Sequence, residues 1–585
     1  MLGDEFVRLF PSSSFRKYQR EVLLKVGELF ESGVKCVLLD APTGFGKSYV
    51  NTAVARYYRS FYSTPQLSLI EQILHDPRLT FIFKDVKGRQ NYRCVHDTEA
   101  SVDEGMCTRS RSYPCEREVE CPYWKRKLEC MRWSPVLTSF SYLILEGRVD
   151  GPKSLGKREL LVVDEGHSID RHVLNHVSLY VSPLSLGRIY GRFKDKLREF
   201  KYLEELAYFL GDVYEECKRE LRSVQRTIDG GVVVSREEAA YKRKLEEWVK
   251  NAELFFESTE KEWVWSLKWA TSRGEKFRYL EVMPVYARDY APEMLWKRAE
   301  RYIVSSATIL EPNLFVKETG LDKVLKRDEV VHLKVPSTFP PENRPVIDAT
   351  VGKLTVEERN ANIGKAVRAV EEILEVEKGN VAIHCHSYEF SEMLRNYIGE
   401  KYKGRIVWHE SADRQEKLEE WKRSRGKVFL AVAFTEGQDW KGEIADAQIL
   451  LKVPYPDADE DPRVKRRLEK GEWVWYRLEA LKETIQAYGR AVRAPDERKR
   501  FYVVDSSFEN LISWAWRWVP DWFKSALPPH WNKEMVAEVV RRMKAERREK
   551  GVYRGASDAE LKREAVKVLK GLSQRQASGQ VPRRG

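Results

Sequence analysis

The sequence contains no apolar run long enough to cross a membrane, since a membrane-spanning helix needs about 18 or more consecutive apolar residues. Its first five residues, Met-Leu-Gly-Asp-Glu, lack the basic and apolar regions of a secretory signal. We therefore expect a protein that stays inside the cell and has no membrane partner. Hydrophobic residues make up 42% of the 585 residues, which is enough to form several globular cores.

Cysteine is scarce, with eight residues in the chain, but five of them fall between residues 94 and 130: Cys94, Cys107, Cys115, Cys121 and Cys130. Inside a reducing cell, such a cluster indicates metal binding rather than disulfide formation. The closely spaced C-x₂₋₄-C pairs of common zinc sites are absent, which makes zinc the lesser alternative.

Net charge is small outside the C-terminal tail. The whole chain carries +12, and residues 531–585 contain 15 lysines and arginines against 7 aspartates and glutamates, so +8 lies in the tail. A basic protein favours a polyanionic partner such as nucleic acid. Because the rest of the chain is close to neutral, contacts there must come from local grooves.

A phosphate-binding loop is predicted at Ala41-Pro-Thr-Gly-Phe-Gly-Lys-Ser48, between an apolar strand and a helix. It matches G-x-x-x-x-G-K-[ST] except at its first position, which is Ala41. Glycines at 44 and 46 let backbone N–H groups converge on an anion, and Thr43 lies between strand and helix. Lys47 would contact the β- and γ-phosphates, and Ser48 would bind Mg²⁺.

A pair of carboxylates, Asp164 and Glu165, follows the buried strand Leu160-Leu-Val-Val. Phosphoryl transfer needs one carboxylate to hold Mg²⁺ and another to orient the attacking water. The carboxyl end of a parallel strand is where α/β sheets bind ligands. Asp164 is thus predicted to bind the metal, and Glu165 to position the water.

Upstream of the phosphate-binding loop, the stretch Phe15-Arg-Lys-Tyr-Gln19 suits contact with adenine, with Gln19 bonding the base edge. The start of an ordinary amphipathic helix is an equally good interpretation.

From residue 169 to about 288, long charged segments with a 3.6-residue period predict a helical insertion, with Gly230-Gly-Val-Val-Val as the only marked strand signal. For its tryptophans we favour core packing over base stacking: Trp248, Trp263, Trp265 and Trp269.

A second α/β region follows the proline-rich segment 336–345. Its strands precede the stretch Thr435-Glu-Gly-Gln-Asp439 and the segment Gln486-Ala-Tyr-Gly-Arg-Ala-Val-Arg493. Arg490 and Arg493 lie three residues apart, which predicts one helix face directed at a γ-phosphate. A solvated basic face would be the interpretation if the segment stood alone.

These motifs, in this order, resemble the XPD/DinG iron–sulfur family of superfamily 2 helicases. The resemblance covers about 450 residues and rests on the following stretches: Ala41 to Ser48, Thr64 to Leu67, Lys87 to Cys94, Cys121-Pro-Tyr, Asp164 to His167, Ser305 to Thr308, His386-Ser-Tyr, Glu436 to Asp439, Lys452 to Pro456 and Gln486 to Arg493. The family's DEAH box is Asp-Glu-Gly-His here, with Gly166 in place of Ala.

The resemblance implies an α/β fold with two RecA-like P-loop motor domains, the first carrying an iron–sulfur insertion and a helical arch. The implied boundaries are motor domain 1 in three parts (1–84, 134–170 and 290–340), the iron–sulfur insertion 85–133, the arch 171–289, motor domain 2 at 341–530 and a basic helical tail at 531–585.

It also implies an ATP-dependent helicase that moves 5′ to 3′ on single-stranded DNA and unwinds duplexes, in repair, replication or recombination. Gln486, Arg490 and Arg493 would act in catalysis, and Gly437 and Asp439 would contact the nucleotide. The implied partners are single-stranded DNA and duplex junctions. We expect a monomeric motor, cytoplasmic and nucleoid-associated, or nuclear in a eukaryote.

The implied 4Fe-4S cluster needs four of the five clustered cysteines. Cys94 and Cys121 match the family's Asn-Tyr-x-Cys and Cys-Pro-Tyr signatures. Residues 123–133 predict a helix with Pro122 in its first turn, which places Cys130 about 13 Å along the axis from Cys121. We therefore expect Cys107 and Cys115 to complete the set and Cys130 to pack as an apolar residue.

Two other functions remain open from the sequence. The first is an ATP-driven translocase that acts on protein–DNA complexes or RNA-containing substrates with little duplex unwinding, because a motor grips the backbone without reading its sequence. The second is a nucleotide-dependent DNA-binding scaffold without turnover, against which the acidic pair and the two arginines argue.

Overall fold

A computed structural model describes residues 1–113, 120–149, 151–272, 274–432, 444–490, 496–549 and 557–577. The chain forms two compact units. The first unit comprises Met1–Asp40, Gly46–Lys334 and Asp457–Glu472, and the second comprises Ala41–Phe45, Val335–Pro456 and Trp473–Gly585. In the part of the chain described, no helix is long and apolar enough to span a membrane.

The first unit is built on a seven-stranded parallel sheet of order β10-β1-β9-β5-β2-β4-β3 and a three-stranded antiparallel sheet of order β6-β8-β7. Its strands are β1 (Cys36–Asp40), β2 (Ser60–Thr64), β3 (Lys84–Val86), β4 (Val136–Ser139), β5 (Leu160–Asp164), β6 (Leu179–Val181), β7 (Trp263–Ser272), β8 (Glu275–Pro284), β9 (Arg301–Ser306) and β10 (Val330–Lys334). The central strands β1 and β5 are buried along their whole length, as their apolar sequences predict, and β2 is equally buried although four of its five residues carry a hydroxyl.

Helices pack around both sheets of the first unit. They are α1 (Leu2–Arg8), α2 (Gln19–Glu31), α3 (Lys47–Tyr57), α4 (Leu67–His75), α5 (Met106–Arg109), α6 (Pro122–Arg132), α7 (Phe140–Glu146), α8 (Ile169–Val177), α9 (Pro183–Leu186), α10 (Tyr190–Phe193), α11 (Leu203–Asp229), α12 (Arg236–Phe256), α13 (Ala291–Met294) and α14 (Pro312–Glu318). The helix predicted after Cys121 is confirmed as α6, with Pro122 in its first turn.

The insertion after the acidic pair differs from the sequence prediction in its strands. Residues 230–234 form no strand, so that prediction is wrong, whereas β7 and β8 form a ten-residue ribbon. Large apolar residues occupy every second position of β7 from Trp263 to Trp269, a period of two that is typical of a strand and not of the helical core that was predicted. The long helices α11 and α12 agree with the predicted segments.

The second unit is built on a six-stranded parallel sheet of order β11-β16-β15-β12-β14-β13. Its strands are β11 (Val346–Gly352), β12 (Val381–His384), β13 (Ile406–Val407), β14 (Val428–Ala431), β15 (Ala447–Leu450) and β16 (Arg500–Asp505), and its first helices are α15 (Arg359–Val376), α16 (Tyr388–Tyr397), α17 (Glu400–Lys403) and α18 (Arg414–Arg423). Both large sheets are therefore parallel and covered by helices, the RecA-like α/β arrangement that was predicted.

The chain between β15 and β16 is divided between the units. Helix α19 (Pro462–Glu469) belongs to the first unit, where Arg467 pairs with Glu318 at 2.7 Å, and the remaining helices belong to the second. These are α20 (Trp473–Tyr488), α21 (Ser507–Ala515), α22 (Asp521–Lys524), α23 (Lys533–Glu549) and α24 (Asp558–Ala577). A capping box precedes α24, because the Ser557 amide donates to the Glu560 carboxylate and the Glu560 amide donates to the Ser557 hydroxyl.

Candidate nucleotide-hydrolysis site

The predicted phosphate-binding loop connects β1 to α3. Gly44 and Gly46 have φ values of +82° and +86°, in the left-handed region that glycine adopts without strain. Helix α3 begins at Lys47, so its unpaired N–H groups and partial positive charge lie at the loop, where they favour an anion. Lys47 is 8% exposed, which shields its ammonium charge from solvent.

Asp164 ends β5 and is held from two neighbouring strands. The Tyr62 hydroxyl on β2 donates to Oδ2 at 2.8 Å, and the Ser305 hydroxyl on β9 donates to Oδ1 at 2.8 Å. Asn51 on α3 donates to the Ser305 hydroxyl at 2.7 Å, which joins the P-loop helix to the same network. A buried carboxylate fixed in this way is a suitable ligand for Mg²⁺, together with Ser48 at the start of α3.

The pKa of Asp164 is raised above the usual aspartate range. Burial is the main cause, and the negative charge of Glu165 adds to it. The positive charge of Lys47 and the hydrogen bonds from Tyr62 and Ser305 act in the opposite direction, because they stabilise the ionised form. A bound divalent cation would also act to lower the pKa of Asp164, because its positive charge favours the ionised carboxylate.

Glu165 turns back towards the P-loop lysine. Its backbone is left-handed, with φ of +55°, and its Oε1 lies 3.4 Å from the Lys47 ammonium. Its Oε2 lies 3.4 Å from Nδ1 of His167, which also contacts the Ser306 hydroxyl at 3.0 Å. The sequence-predicted Lys47, Asp164 and Glu165 are thus brought together.

Gly166 is required by close packing beneath the acidic pair. A Cβ built there would lie 2.4 Å from Val304 Cγ1 on β9, closer than real Cβ contacts come. Val304 therefore occupies the space that an alanine at position 166 would need, which accounts for the glycine in this chain's Asp-Glu-Gly-His.

Gln19 is the first residue of α2, as the helix interpretation of this segment predicted, and its side chain reaches the P-loop. Its side-chain oxygen accepts from the Arg16 amide at 2.8 Å, and its amide nitrogen lies 3.4 Å from the Gly46 carbonyl oxygen. Gln19 is 2% exposed. It buttresses the loop, and its role towards adenine stays a prediction.

Tyr62 and Asn51 were not identified from the sequence as site residues. Tyr62 lies in a strand and Asn51 in the helix after the P-loop, and neither position belongs to a recognised motif. A weak signal was available, because a tyrosine or an asparagine in an otherwise apolar buried element needs a hydrogen-bond partner.

We expect Tyr62→Phe to shift the acid limb of ATP turnover to higher pH. The substitution removes a hydrogen bond that stabilises the Asp164 carboxylate, so the pKa of Asp164 rises and protons compete better with Mg²⁺. The shift should be about 0.5–1 pH unit. It is measured as kcat/KM for ATP against pH, with Tyr302→Phe as control, since the Tyr302 hydroxyl bonds only backbone carbonyls. An unmoved acid limb would exclude this role for Tyr62.

In the second unit, the predicted segment 486–493 begins inside a helix and continues past the end of that helix. Helix α20 ends at Tyr488, and Arg490 follows in a turn, so the prediction of a helix face at Arg490 is wrong. Gly489 accounts for the early end, because glycine lowers helix propensity. Gln486 lies within α20 and Arg490 is 4% exposed, whereas Arg493 lies outside the described residues.

A buried polar chain ties this segment to the sheet of the second unit. Nε2 of His384, at the end of β12, lies 3.0 Å from the Gln448 side-chain oxygen, and the Gln448 amide donates to the Tyr488 carbonyl at 3.3 Å. Burial lowers the pKa of His384 to about 4, and the nearby charge of Arg490 also lowers it, so the imidazole is neutral. The predicted nucleotide contacts Gly437 and Asp439 lie outside the described residues.

Four of the five clustered cysteines are described, and Cys115 lies outside those residues. Cys94 is buried and packs against Gly105: a Cβ added at Gly105 would lie 2.8 Å from the Cys94 sulfur. Cys107 follows Gly105 by two residues. Cys121 caps α6 and is also buried. Within the described ranges, no three His, Cys, Asp or Glu residues form a metal-binding group.

Cys130 lies apart from this arrangement. It is completely buried on the inner face of α6, and its thiol lies 3.5 Å from the Asp85 carbonyl oxygen. Burial raises the pKa of the Cys130 thiol to about 12, which disfavours the thiolate that metals bind. These contacts support the apolar role proposed for it from the sequence.

Two family models match separate parts of the chain. Residues 12–187 match the family described as type III restriction enzyme, res subunit, and residues 370–526 match the helicase C-terminal domain family. A search of curated proteins found no match.

Solved structures share the fold across nearly the whole chain. An XPD helicase is 15% identical, with a TM-score of 0.60 over 86% of this chain and 98% of its own. S. tokodaii Xpd4 is 16% identical, with a TM-score of 0.53 over 85% and 97%. An apo XPD structure is also 16% identical, with a TM-score of 0.53 over 86% and 98%.

The two family matches and the site define the class: the chain carries helicase domains and is an ATP-driven enzyme that acts on nucleic acid. Its fold is that of the XPD helicases.

Proposed function

We propose that this protein is an ATP-dependent DNA helicase that moves along single-stranded DNA and unwinds duplexes. The observation that carries the proposal is the joined network of Lys47, Glu165 and Asp164, with Asp164 fixed by Tyr62 and Ser305. A scaffold that binds nucleotide without turnover has no need for two carboxylates of separate roles beside the P-loop lysine.

Each residue of the network has a distinct role in phosphoryl transfer. Lys47 neutralises the β- and γ-phosphates, and Ser48 and Asp164 would hold Mg²⁺, which when bound would offset charge on the transferred group. Glu165 orients the attacking water. His167 contacts both the Glu165 carboxylate and the Ser306 hydroxyl, so it holds Glu165 in position. Gln486, Arg490 and Arg493 would stabilise charge on the γ-phosphate.

DNA as the track and 5′-to-3′ polarity rest on the resemblance in motif order to the XPD/DinG family. Backbone contacts define the track of such a motor, so they do not separate DNA from RNA by themselves. The basic composition of the chain supports a polyanionic partner.

An unwinding assay tests the proposal directly. Duplexes of DNA, DNA–RNA hybrid and RNA are compared, each with a 5′ or a 3′ single-stranded tail, at saturating ATP. We expect unwinding of DNA duplex with the 5′ tail. Hydrolysis of ATP stimulated by single strands, without unwinding of any duplex, would favour the translocase alternative instead.

We further propose a 4Fe-4S cluster held by Cys94, Cys107, Cys115 and Cys121. Gly105 packs against the Cys94 sulfur, so the chain that carries Cys107 runs close to Cys94. Cys121 is buried at the start of α6. Four thiolates suit such a cluster, which would tie together otherwise irregular chain. Its role would be structural.

We expect each of the four Cys→Ser variants to lose iron and Cys130→Ser to retain it. The protein is purified without oxygen, and iron per chain is measured together with absorbance near ~400 nm. Cys130→Ser is the matched control, because it removes a buried thiol from the same insertion. Full iron in Cys107→Ser or Cys115→Ser, with loss in Cys130→Ser, would overturn the ligand assignment, and bound zinc in place of iron would overturn the cluster.

A further inference from the structure

The β7–β8 ribbon extends beyond its sheet. The two strands pair at ten positions, from Trp263 opposite Pro284 to Ser272 opposite Glu275. Strand β6 pairs with β8 only at Leu280, Glu281 and Val282. Among the described residues, the outer half of the ribbon therefore has no third strand on either edge.

The outer half of the ribbon carries an exposed tryptophan beside two cations. Trp269 is 61% exposed, whereas Trp263 and Trp248 are buried in the core, so core packing was the wrong prediction for Trp269 alone. Trp269 lies opposite Arg278, and Lys276 is the neighbouring residue on that face. The Lys276 ammonium lies 5.0 Å from the Trp269 ring centroid, and the Arg278 guanidinium lies 5.9 Å from it.

A basic segment, residues 190–202, lies against the same ribbon. It begins with the short helix α10, and we call it the basic loop. The Arg278 guanidinium donates to the Leu197 carbonyl at 3.2 Å, and the Tyr190 hydroxyl donates to the Arg278 carbonyl at 2.6 Å. The Trp265 indole N–H donates to the Phe200 carbonyl at 2.9 Å. Three separate hydrogen bonds therefore fix the position of the loop relative to the ribbon.

The loop presents an excess of positive charge. It contains five lysines and arginines against one aspartate and one glutamate. Arg192 pairs with Glu216 and Arg198 with Glu205. Lys194, Lys196 and Lys201 are exposed and form no ion pair with any carboxylate of the described chain.

We propose that these residues form a binding surface for single-stranded nucleic acid, outside the two parallel sheets of the motor. This ribbon surface consists of Trp269, Lys276, Arg278, Lys194, Lys196 and Lys201. An exposed indole stacks on an unpaired base, and neighbouring ammonium and guanidinium groups bind the backbone phosphates. A duplex keeps its base faces stacked inside and does not use Trp269 in this way, whereas a single strand presents a flat base beside each phosphate.

The inference rests on the proposed function, since it assigns an additional contact for the strand that the motor follows. Its test measures binding of a fluorescent mixed-sequence 20-nucleotide DNA strand to the full chain by anisotropy, across a range of salt concentrations. The variants are Trp269→Ala, Trp269→Tyr, and a triple variant in which Lys194, Lys196 and Lys201 are replaced by Gln.

Matched controls separate the surface from general effects. Tyr397→Ala removes another exposed aromatic ring, 63% exposed, from the second unit. A second triple variant, with Lys365, Lys378 and Lys403 replaced by Gln, removes the same net charge from exposed positions of that unit. Unfolding temperature is measured for every variant.

We expect Trp269→Ala to weaken single-strand binding about tenfold, and Trp269→Tyr to restore most of it. The triple variant of the loop should reduce the slope of log affinity against log salt by about 2, because each lost phosphate contact on a single strand removes ~0.7. Both control variants should bind like wild type. ATP hydrolysis at saturating DNA should stay unchanged, since the hydrolysis network is intact.

Wild-type affinity and salt slope in both ribbon variants would overturn the inference, as would an equal loss for a blunt 20-base-pair duplex. Failure of the proposed function is seen separately, as an absence of DNA-stimulated ATP hydrolysis in the wild-type protein. A change in single-strand affinity caused by the ribbon variants would still support the surface in that case.

Discussion

Lys47→Ala protein should hydrolyse ATP more than about 10³-fold slower than wild type and should bind the nucleotide weakly. Lys47 is the only ammonium group of the P-loop sequence, and it is 8% exposed, so water screens its charge little. The substitution removes this charge from the phosphates and also removes the ammonium group that lies 3.4 Å from Glu165 Oε1. Both changes make the loop less favourable for a polyanion.

The measurement is phosphate release at saturating single-stranded DNA, together with calorimetric titration of Mg–ATP. Lys25→Ala serves as the control, since Lys25 lies on the exposed side of α2 and pairs only with Glu28. Wild-type turnover in Lys47→Ala would show that the loop is not the hydrolysis site.

Glu165→Gln should also stop turnover, but it should leave ATP binding intact. Glutamine has nearly the same shape as glutamate and cannot accept a proton from the attacking water. The substitution removes a negative charge beside Lys47 and Asp164, which makes the site more favourable for the phosphates. It also removes a cause of the raised pKa of Asp164, so Mg²⁺ binding should persist to lower pH.

Both variants should therefore hydrolyse ATP slowly, but Lys47→Ala should bind Mg–ATP weakly and Glu165→Gln should bind it well. One titration of Mg–ATP and one phosphate-release assay measure both properties. Glu28→Gln, at an exposed helix position, controls for the loss of a carboxylate. If Glu165→Gln hydrolysed ATP at the wild-type rate, Glu165 would not be the group that positions the water.

The P-loop and the acidic pair were predictable because each is a contiguous motif whose chemistry is local. The strand before Ala41 and the helix from Lys47 follow from apolar runs and periodicity, and the structure contains both. Helices α6, α11 and α12 were predictable for the same reason, since hydrophobic spacing and caps lie within each segment.

The side chains that hold Asp164 in place were not predictable from local sequence. Tyr62 and Asp164 are 102 residues apart, and Ser305 and Asp164 are 141 apart. They meet because β5 lies between β9 and β2, and no local pattern specifies that order of strands. The same holds for α19, which follows β15 in the chain and packs in the first unit.

The sequence by itself determined the chemistry of this protein: a phosphate loop, a metal-binding carboxylate and a water-positioning one, each encoded within a few consecutive residues. The tertiary structure alone decided which side chains fix that carboxylate and which tryptophan reaches solvent. Trp263, Trp265 and Trp269 share one strand and one residue type, yet Trp263 is buried at the base of the ribbon and Trp269 is 61% exposed in its outer half. Burial depends on what packs against a residue, and that is set by contacts distant in sequence.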